Sequence, residues 1–355
     1  MGEDPFGFTD DDRERGSRYH RPLYAATIVR LLLVAAVYAL LVDRSTGGFG
    51  WAGGAAVWAA VVVACAGLAC LPIDLWRGYR RERAWKLSTQ TLAGWLADRA
   101  KAEAIAVVLA ASAWTMTVGL ARAFPGWWPV PVAVAFSVAA LVLSFVAPVV
   151  LEPLFNRFRP LPDERLAGEL RALAERAGVP VREVLVADAS RRTAKANAYV
   201  SGLGPTRRVV VWDTLLARAP EAELKLIVAH ELGHRRERHL VKGTALAMLG
   251  AVIAVVLVWA VVGTPEPGDF ALAALLLLGL EIAGAPMLAW ISRRWERAAD
   301  RYSLGLTNDR EAFVRAHVAL ARGNLSDLAP PRLAYAMLFT HPTAPERLAL
   351  ANRRS

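Results

Sequence analysis

His230 and His234 lie four residues apart, with Glu231 directly after the first, in a segment that reads His-Glu-Leu-Gly-His. Positions four apart share one face of a helix, so both imidazoles can reach a single ion. Imidazole nitrogens suit zinc, and a carboxylate beside them is placed to take a proton from a nearby water. A catalytic zinc needs a third protein ligand and one open position. The segment Ser292 to Asp300 offers Glu296 as that ligand. Asp300 follows one turn later on the same face, where it can accept a hydrogen bond from a ligand imidazole and fix its tautomer. The same two acids also suit an ordinary surface pair that offsets Arg293, Arg294 and Arg297, and spacing alone does not separate the two readings. The remaining histidines considered, His20, His239 and His317, are placed outside the site. On a continuous helix His239 falls about 180° round from His230. His20 lies in a polar N-terminal stretch expected to be disordered, and His317 in a helical stretch where a structural role is expected.

The elements that must position these residues are set by composition. Of 355 residues, 55% are hydrophobic and only 21% charged, which is too apolar for an ordinary soluble enzyme. The apolar residues cluster into six runs near 23–42, 51–72, 103–123, 129–150, 241–263 and 270–291, each about as long as a bilayer core requires. The net charge of +10 does not point to nucleic acid, because the basic residues sit at span ends and in particular connections. Arg13, Arg15, Arg18 and Arg21 precede the first run, and Arg77, Arg80, Arg81, Arg83, Lys86, Arg99 and Lys101 lie between the second and third. This asymmetry places both termini, the 73–102 loop, the 151–240 segment and the tail in the cytosol. Trp127 and Trp128 fit an aromatic belt at the opposite interface. Cys65 and Cys70, both inside the second run, match neither a metal nor a disulfide spacing.

The chain divides into a polar segment 1–22, four transmembrane helices in 23–152, a first soluble region 153–239, two transmembrane helices in 240–291 and a helical part 292–355. In the soluble region Leu166, Leu170, Leu173 and Ala177 recur at helical spacing. Short β-like runs follow at 184–186, 197–203 and 209–212, with Gly202, Gly204 and Pro205 where a hairpin turn belongs. A helix then starts at Pro220, with Glu221 and Glu223 in its first turn, and runs through the histidine pair towards the fifth span. Glu281 lies within the sixth span, about 60° round the helix from Glu296. It is expected to face a hydrated chamber near the metal, with Arg30 of the first span either its partner or turned to the interface.

Several segments together resemble, in order and over about residues 50–350, the type 1 CAAX prenyl proteases, the membrane-embedded gluzincin metallopeptidases. They are Pro72-Ile73-Asp74-Leu75 to Gln90-Thr91, Pro153 to Leu161, Ala196-Asn197-Ala198-Tyr199, the histidine motif, Ser292-Arg293 to Asp300, and His341-Pro342-Thr343 with Glu346-Arg347. The resemblance implies a mainly α membrane protein of about six transmembrane helices with a cytosolic gluzincin-like α+β protease domain, helices plus a small β-sheet. It implies His230, His234 and Glu296 as ligands of one zinc ion per chain, Glu231 as general base and Asp300 behind a ligand. It makes Asn197, Ala198 and Tyr199 a strand edge that pairs with an extended substrate. It brings His341 and Arg347 near the metal, to stabilise an oxyanion or simply to pack or cap a helix. The expected partners are a peptide or membrane-protein substrate, prenylated or not, and the lipid bilayer, with no nucleic acid. The expected location is the cell membrane, with the active site cytosolic. An HtpX-like quality-control protease shares this chemistry and stays open as an alternative. The intact His230, Glu231, His234 and Glu296 set argues against an inactive scaffold, and the lack of internal repeats against a transporter.

Overall fold

A computed structural model describes residues 6–42, 44, 48–146, 150–202 and 204–352. The chain opens with helix α1 (Asp10–Leu41) and α2 (Trp51–Leu75), which continues through a π-helical segment, Trp76–Arg81, into the short α3 (Glu82–Ala84). Helices α4 (Leu92–Ala123) and α5 (Pro129–Val146) complete the first membrane half. The soluble region holds α6 (Glu152–Phe155), β1 (Phe158–Pro160), α7 (Glu164–Arg176), β2 (Glu183–Ala187), β3 (Ala198–Ser201), β4 (Arg208–Trp212), α8 (Asp213–Leu216) and α9 (Glu221–Arg236). Helices α10 (His239–Val262) and α11 (Phe270–Thr307) re-enter the apolar bundle, and α12 (Arg310–Gly323), α13 (Arg332–Leu338) and α14 (Ala344–Asn352) close the chain.

Among the described residues, five helices are long and apolar enough to cross a membrane: Asp10–Leu41, Trp51–Ala84, Leu92–Ala123, His239–Val262 and Pro267–Thr307. They correspond to five of the six expected spans. The fourth expected span, 129–150, is the shorter apolar α5, and positions 147–149 lie outside the described residues. Small residues line the packing between spans: Ala55, Ala59, Ala121 and Ala273 are buried beside Trp114, Val118 and Val132. Leu32, Leu40, Leu68 and Val108 instead point outward, as a hydrocarbon surround requires. Trp127 is exposed as an interface residue should be, but Trp128 is buried among the spans and does not join an aromatic belt.

The polar segment at 10–22 is helical, contrary to the expectation of disorder. Thr9 caps α1 with a reciprocal pair of hydrogen bonds: its backbone N–H donates to Asp12 Oδ2 (3.0 Å), and the Asp12 N–H donates to Thr9 Oγ1 (3.1 Å). Asp10, Asp11 and Asp12 also suit the positive end of the helix dipole. The segment is held by residues far along the chain. Gly16 lies against the Ser326 carbonyl, where a Cβ would collide, and Asp12 pairs with Arg322 at 2.9 Å. A sequence window cannot see such partners. The basic 73–102 connection holds the end of α2, the π-helical segment, α3 and the start of α4. After α3 it makes an isolated β-bridge, Ser88 to Thr193, and so ties the membrane half to the soluble region.

The four strands of the described residues form one sheet in the order β1-β2-β4-β3. Strand β2 runs parallel to β4, and both flanking pairs are antiparallel. The turn after β3 holds Gly202 at φ +77°, with the Thr206 carbonyl so near that no other residue fits there. Strand β1 was not evident in the sequence, being three residues long with a proline. Val184, Val186, Val209 and Val211 of the sheet pack with Leu170 and Leu173 of α7 and with Leu224 and Val228 of α9, which seats α9 on the sheet. Strand β3 remains at the sheet edge beside α9.

Candidate metal centre

Helix α9 carries the histidine pair. Pro220 sits at its N-cap position, with Glu221 and Glu223 in its first turn and His234, Arg235 and Arg236 in its last, a charge order that complements the macrodipole. Gly233 lets it cross α11 closely: a Cβ there would sit 3.1 Å from Tyr302 Cδ1 and 3.2 Å from Ala299 Cα. That contact brings Glu296, on α11, up to the two imidazoles. His230 Nε2 lies 3.1 Å from His234 Nε2 and 3.3 Å from Glu296 Oε2, and His234 Nε2 lies 3.2 Å from Glu296 Oε1. These three residues form the one group of such side chains, among the described residues, whose donor atoms all fall within 4.8 Å of one another.

The residues fit a metal ion. Around a tetrahedral ion bound at about 2.0–2.1 Å, neighbouring ligand atoms lie about 3.3 Å apart, close to the spacings seen. Glu296 Oε2 is buried with His230 Nε2 (3.3 Å) and His341 Nδ1 (2.8 Å) near it but makes no well-aligned hydrogen bond, which is costly for a carboxylate oxygen unless a cation is nearby. Burial alone would lower the His230 pKa, yet its hydrogen bonds with Asp300 and Glu296 hold it up at about 9. The field at this point therefore favours positive charge.

Asp300, fully buried, places Oδ1 2.9 Å from His230 Nδ1. Arg347, from α14, binds both oxygens of Asp300, its Nε to Oδ2 at 2.9 Å and its Nη2 to Oδ1. Its Nη2 also lies 3.3 Å from His230 Nδ1 and 4.0 Å from Glu296 Oε2. The guanidinium is thus committed to Asp300. His341 Nδ1 comes within 2.8 Å of Glu296 Oε2, while most of its side chain faces the cleft. Glu231 lines the same cleft. Burial pushes its carboxyl above the usual carboxylate range, with His230 and His234 pulling the other way.

The cleft has a volume of about 810 Å³. Asn197, the residue leading into β3, lies on its wall. Pairing of Trp212 N–H with Asn197 C=O (3.0 Å) sets the alternation along β3, so that Ala198 and Val200 turn their backbone groups to the open edge. Arg235 caps the Val200 carbonyl, and Tyr199 donates to Glu152 Oε2 at 3.2 Å.

Three histidines set aside on the sequence are close to this centre. His317 Nε2 lies 3.7 Å from Asp300 Oδ1, and His20 lines the cleft with Nε2 2.9 Å from the Leu325 carbonyl. His239 lies beside His234, not on the far side of a continuous helix, because Arg238 adopts φ 56°, ψ 34° and breaks α9 from α10. Tyr24, which donates to Asp327 Oδ2 at 2.8 Å, adds to the cleft wall. No sequence signal marked it, since its partner is far along the chain. Glu281 lines a separate cavity of about 800 Å³ between the spans, which shares no lining residue with the cleft. Arg30 lines that cavity too, but pairs with Asp74 at 3.1 Å and not with Glu281.

Residues 160–355 match the profile of peptidase family M48. Residues 21–157 match the profile of the CAAX prenyl protease N-terminal region, described as five membrane helices. Metalloprotease YhfN of Bacillus subtilis, itself uncharacterized, is 31% identical over 307 residues, or 81% of this chain and 70% of that protein. CAAX prenyl protease 1 of Saccharomyces cerevisiae is 26% identical over 306 residues, or 78% of this chain and 67% of that one. The crystal structure of S. mikatae Ste24p matches the fold with a TM-score of 0.79 at 24% identity, covering 96% of this chain and 89% of that one.

Proposed function

Since this chain belongs to peptidase family M48, we propose that it is a zinc endopeptidase that cuts extended peptide segments with His230, His234 and Glu296 as its metal ligands. Family membership makes it a membrane metallopeptidase, a hydrolase of peptide bonds that depends on a metal. Its apolar helices make it a multi-pass membrane protein. The observation that carries the finer reading is the convergence of three donor side chains from α9 and α11. Zinc held there supplies a Lewis acid that polarises a carbonyl and makes water acidic.

The chain's own residues account for the rest. Glu231 takes the proton of the attacking water and returns it to the leaving amine, a role suited by a carboxyl whose pKa burial has raised. Asp300 accepts from His230 Nδ1–H, which leaves Nε2 free as a donor atom. Arg347 is a positioning residue, because it holds Asp300 in place. His341, open to the cleft, is the side chain best placed to donate to an oxyanion. The open edge of β3 at Ala198, flanked by Asn197 and Tyr199, aligns the substrate backbone. The substrate is a peptide or a membrane protein with a flexible segment, because such an edge pairs with an unfolded strand. The charge of the basic connections supports a reading in which both termini and the cleft lie on the cytosolic side of the cell membrane. The name of the yeast relative adds a prenylated C-terminal peptide as the first substrate to try.

Metal analysis of detergent-purified protein, with hydrolysis of farnesylated and unmodified peptides assayed alongside, tests this reading. The expected result is stoichiometric zinc, cleavage lost on chelation and cleavage restored by added zinc. Stoichiometric binding of another metal that alone restores activity would overturn the zinc assignment.

A further inference from the structure

His234 offers Nε2 to the donor set and turns Nδ1 away from it, to a point 3.0 Å from His239 Nδ1. Two ring nitrogens facing each other at that distance share one proton, carried by one of them. If Nε2 of His234 is to give its lone pair to a metal, its Nδ1 must hold the proton and donate. His239 Nδ1 is then the acceptor, and the His239 proton sits on Nε2. From this geometry we infer that His239 is a positioning residue for the metal centre, doing for His234 with a neutral imidazole what Asp300 does for His230 with a carboxylate.

The surroundings of His239 support the assignment. The residue is 6% exposed, and its ring stacks on Trp295, with centroids 5.1 Å apart and planes 13° from parallel. Trp295 immediately precedes Glu296, so the helix that delivers the third donor also fixes the orientation of the acceptor ring. The left-handed conformation of Arg238 turns His239 back towards His234, at an energetic cost for a non-glycine residue. The centre is consequently lopsided. One imidazole is held by a fully buried carboxylate and its arginine, the other by an uncharged ring that polarises it less.

The inference rests on the proposed ligand set and is tested by metal affinity without any activity assay. Purified protein is stripped with a chelator and then titrated with zinc against a competing chelator. Wild type is compared with His239→Phe, which keeps a ring on Trp295 but no acceptor. It is also compared with His239→Asn, which keeps an acceptor near the Nδ1 position but no ring. Thermal unfolding of the stripped proteins confirms that each is folded. The expected result is about 10–100-fold weaker zinc binding for His239→Phe, with most of the affinity retained by His239→Asn. The reverse order, equal losses in both, or no loss in His239→Phe would overturn the positioning role. A wild type that takes up no zinc would overturn the ligand set itself, and the inference with it.

Discussion

Glu231→Gln is expected to lower kcat for peptide hydrolysis by about 10²–10⁴-fold while leaving zinc content unchanged. The substitution keeps the size and hydrogen-bonding shape of the side chain but removes its ability to accept a proton. Glu231 donates no atom to the group formed by His230, His234 and Glu296, so the metal site should survive intact. Parallel measurements of zinc stoichiometry and single-turnover cleavage separate the two effects. A Glu231→Gln protein that holds zinc and still cleaves at the wild-type rate would assign the base elsewhere. Loss of zinc together with activity would instead make Glu231 part of the metal site.

Removal of Arg347 should produce the largest loss of stability. Its guanidinium is the cation bound to Asp300, whose side chain is fully buried. Arg347→Ala leaves that carboxylate without its charged partner, for which a cost of about 3–5 kcal/mol is expected. The thermal unfolding midpoint in detergent should fall, and zinc binding should weaken as the hold on His230 loosens. Asp300→Leu with Arg347→Met replaces both charges by apolar volume and should recover much of the lost stability. It should not recover zinc affinity, because His230 Nδ1 then has no acceptor. An unchanged midpoint in Arg347→Ala would mean that His230 and His317 neutralise Asp300 without it.

The contrast between these two residues shows how far the sequence could be read. Glu231, His230 and His234 are local: three positions on one helix, whose spacing suggests a metal with a base beside it. Glu296 and Asp300 needed more, because their spacing fits a surface pair equally well until α11 is seen to cross α9 at Gly233. Arg347 could be placed near the metal only by resemblance, and nothing in the sequence tied it to Asp300. The apolar spans were legible because bilayer thickness fixes their length, and β2, β3 and β4 because branched residues cluster there between turn residues. What was misread depended on tertiary contact or on an uncommon backbone. The start of α1 looked like a disordered charged tail, since its partners Arg322 and Ser326 are some three hundred residues away. His239 was assigned to the wrong face because a left-handed arginine is not something that periodicity can anticipate.

The wall that α1 and the last third of the chain build together has a consequence for the birth of the protein. His20 and Tyr24 are made early, while their contacts at Leu325 and Asp327, and the Asp300–Arg347 clamp, are made late. On the proposed ligand set, a nascent chain that has exposed His230, Glu231 and His234 still lacks Glu296, and a chain that has just gained Glu296 still lacks Arg347. The proposed ligand set is therefore completed only once α11 is made, and its support at Asp300 only once α14 is made. A nascent copy that has passed His234 but not reached Glu296 carries Glu231 without the third side chain of the proposed ligand set.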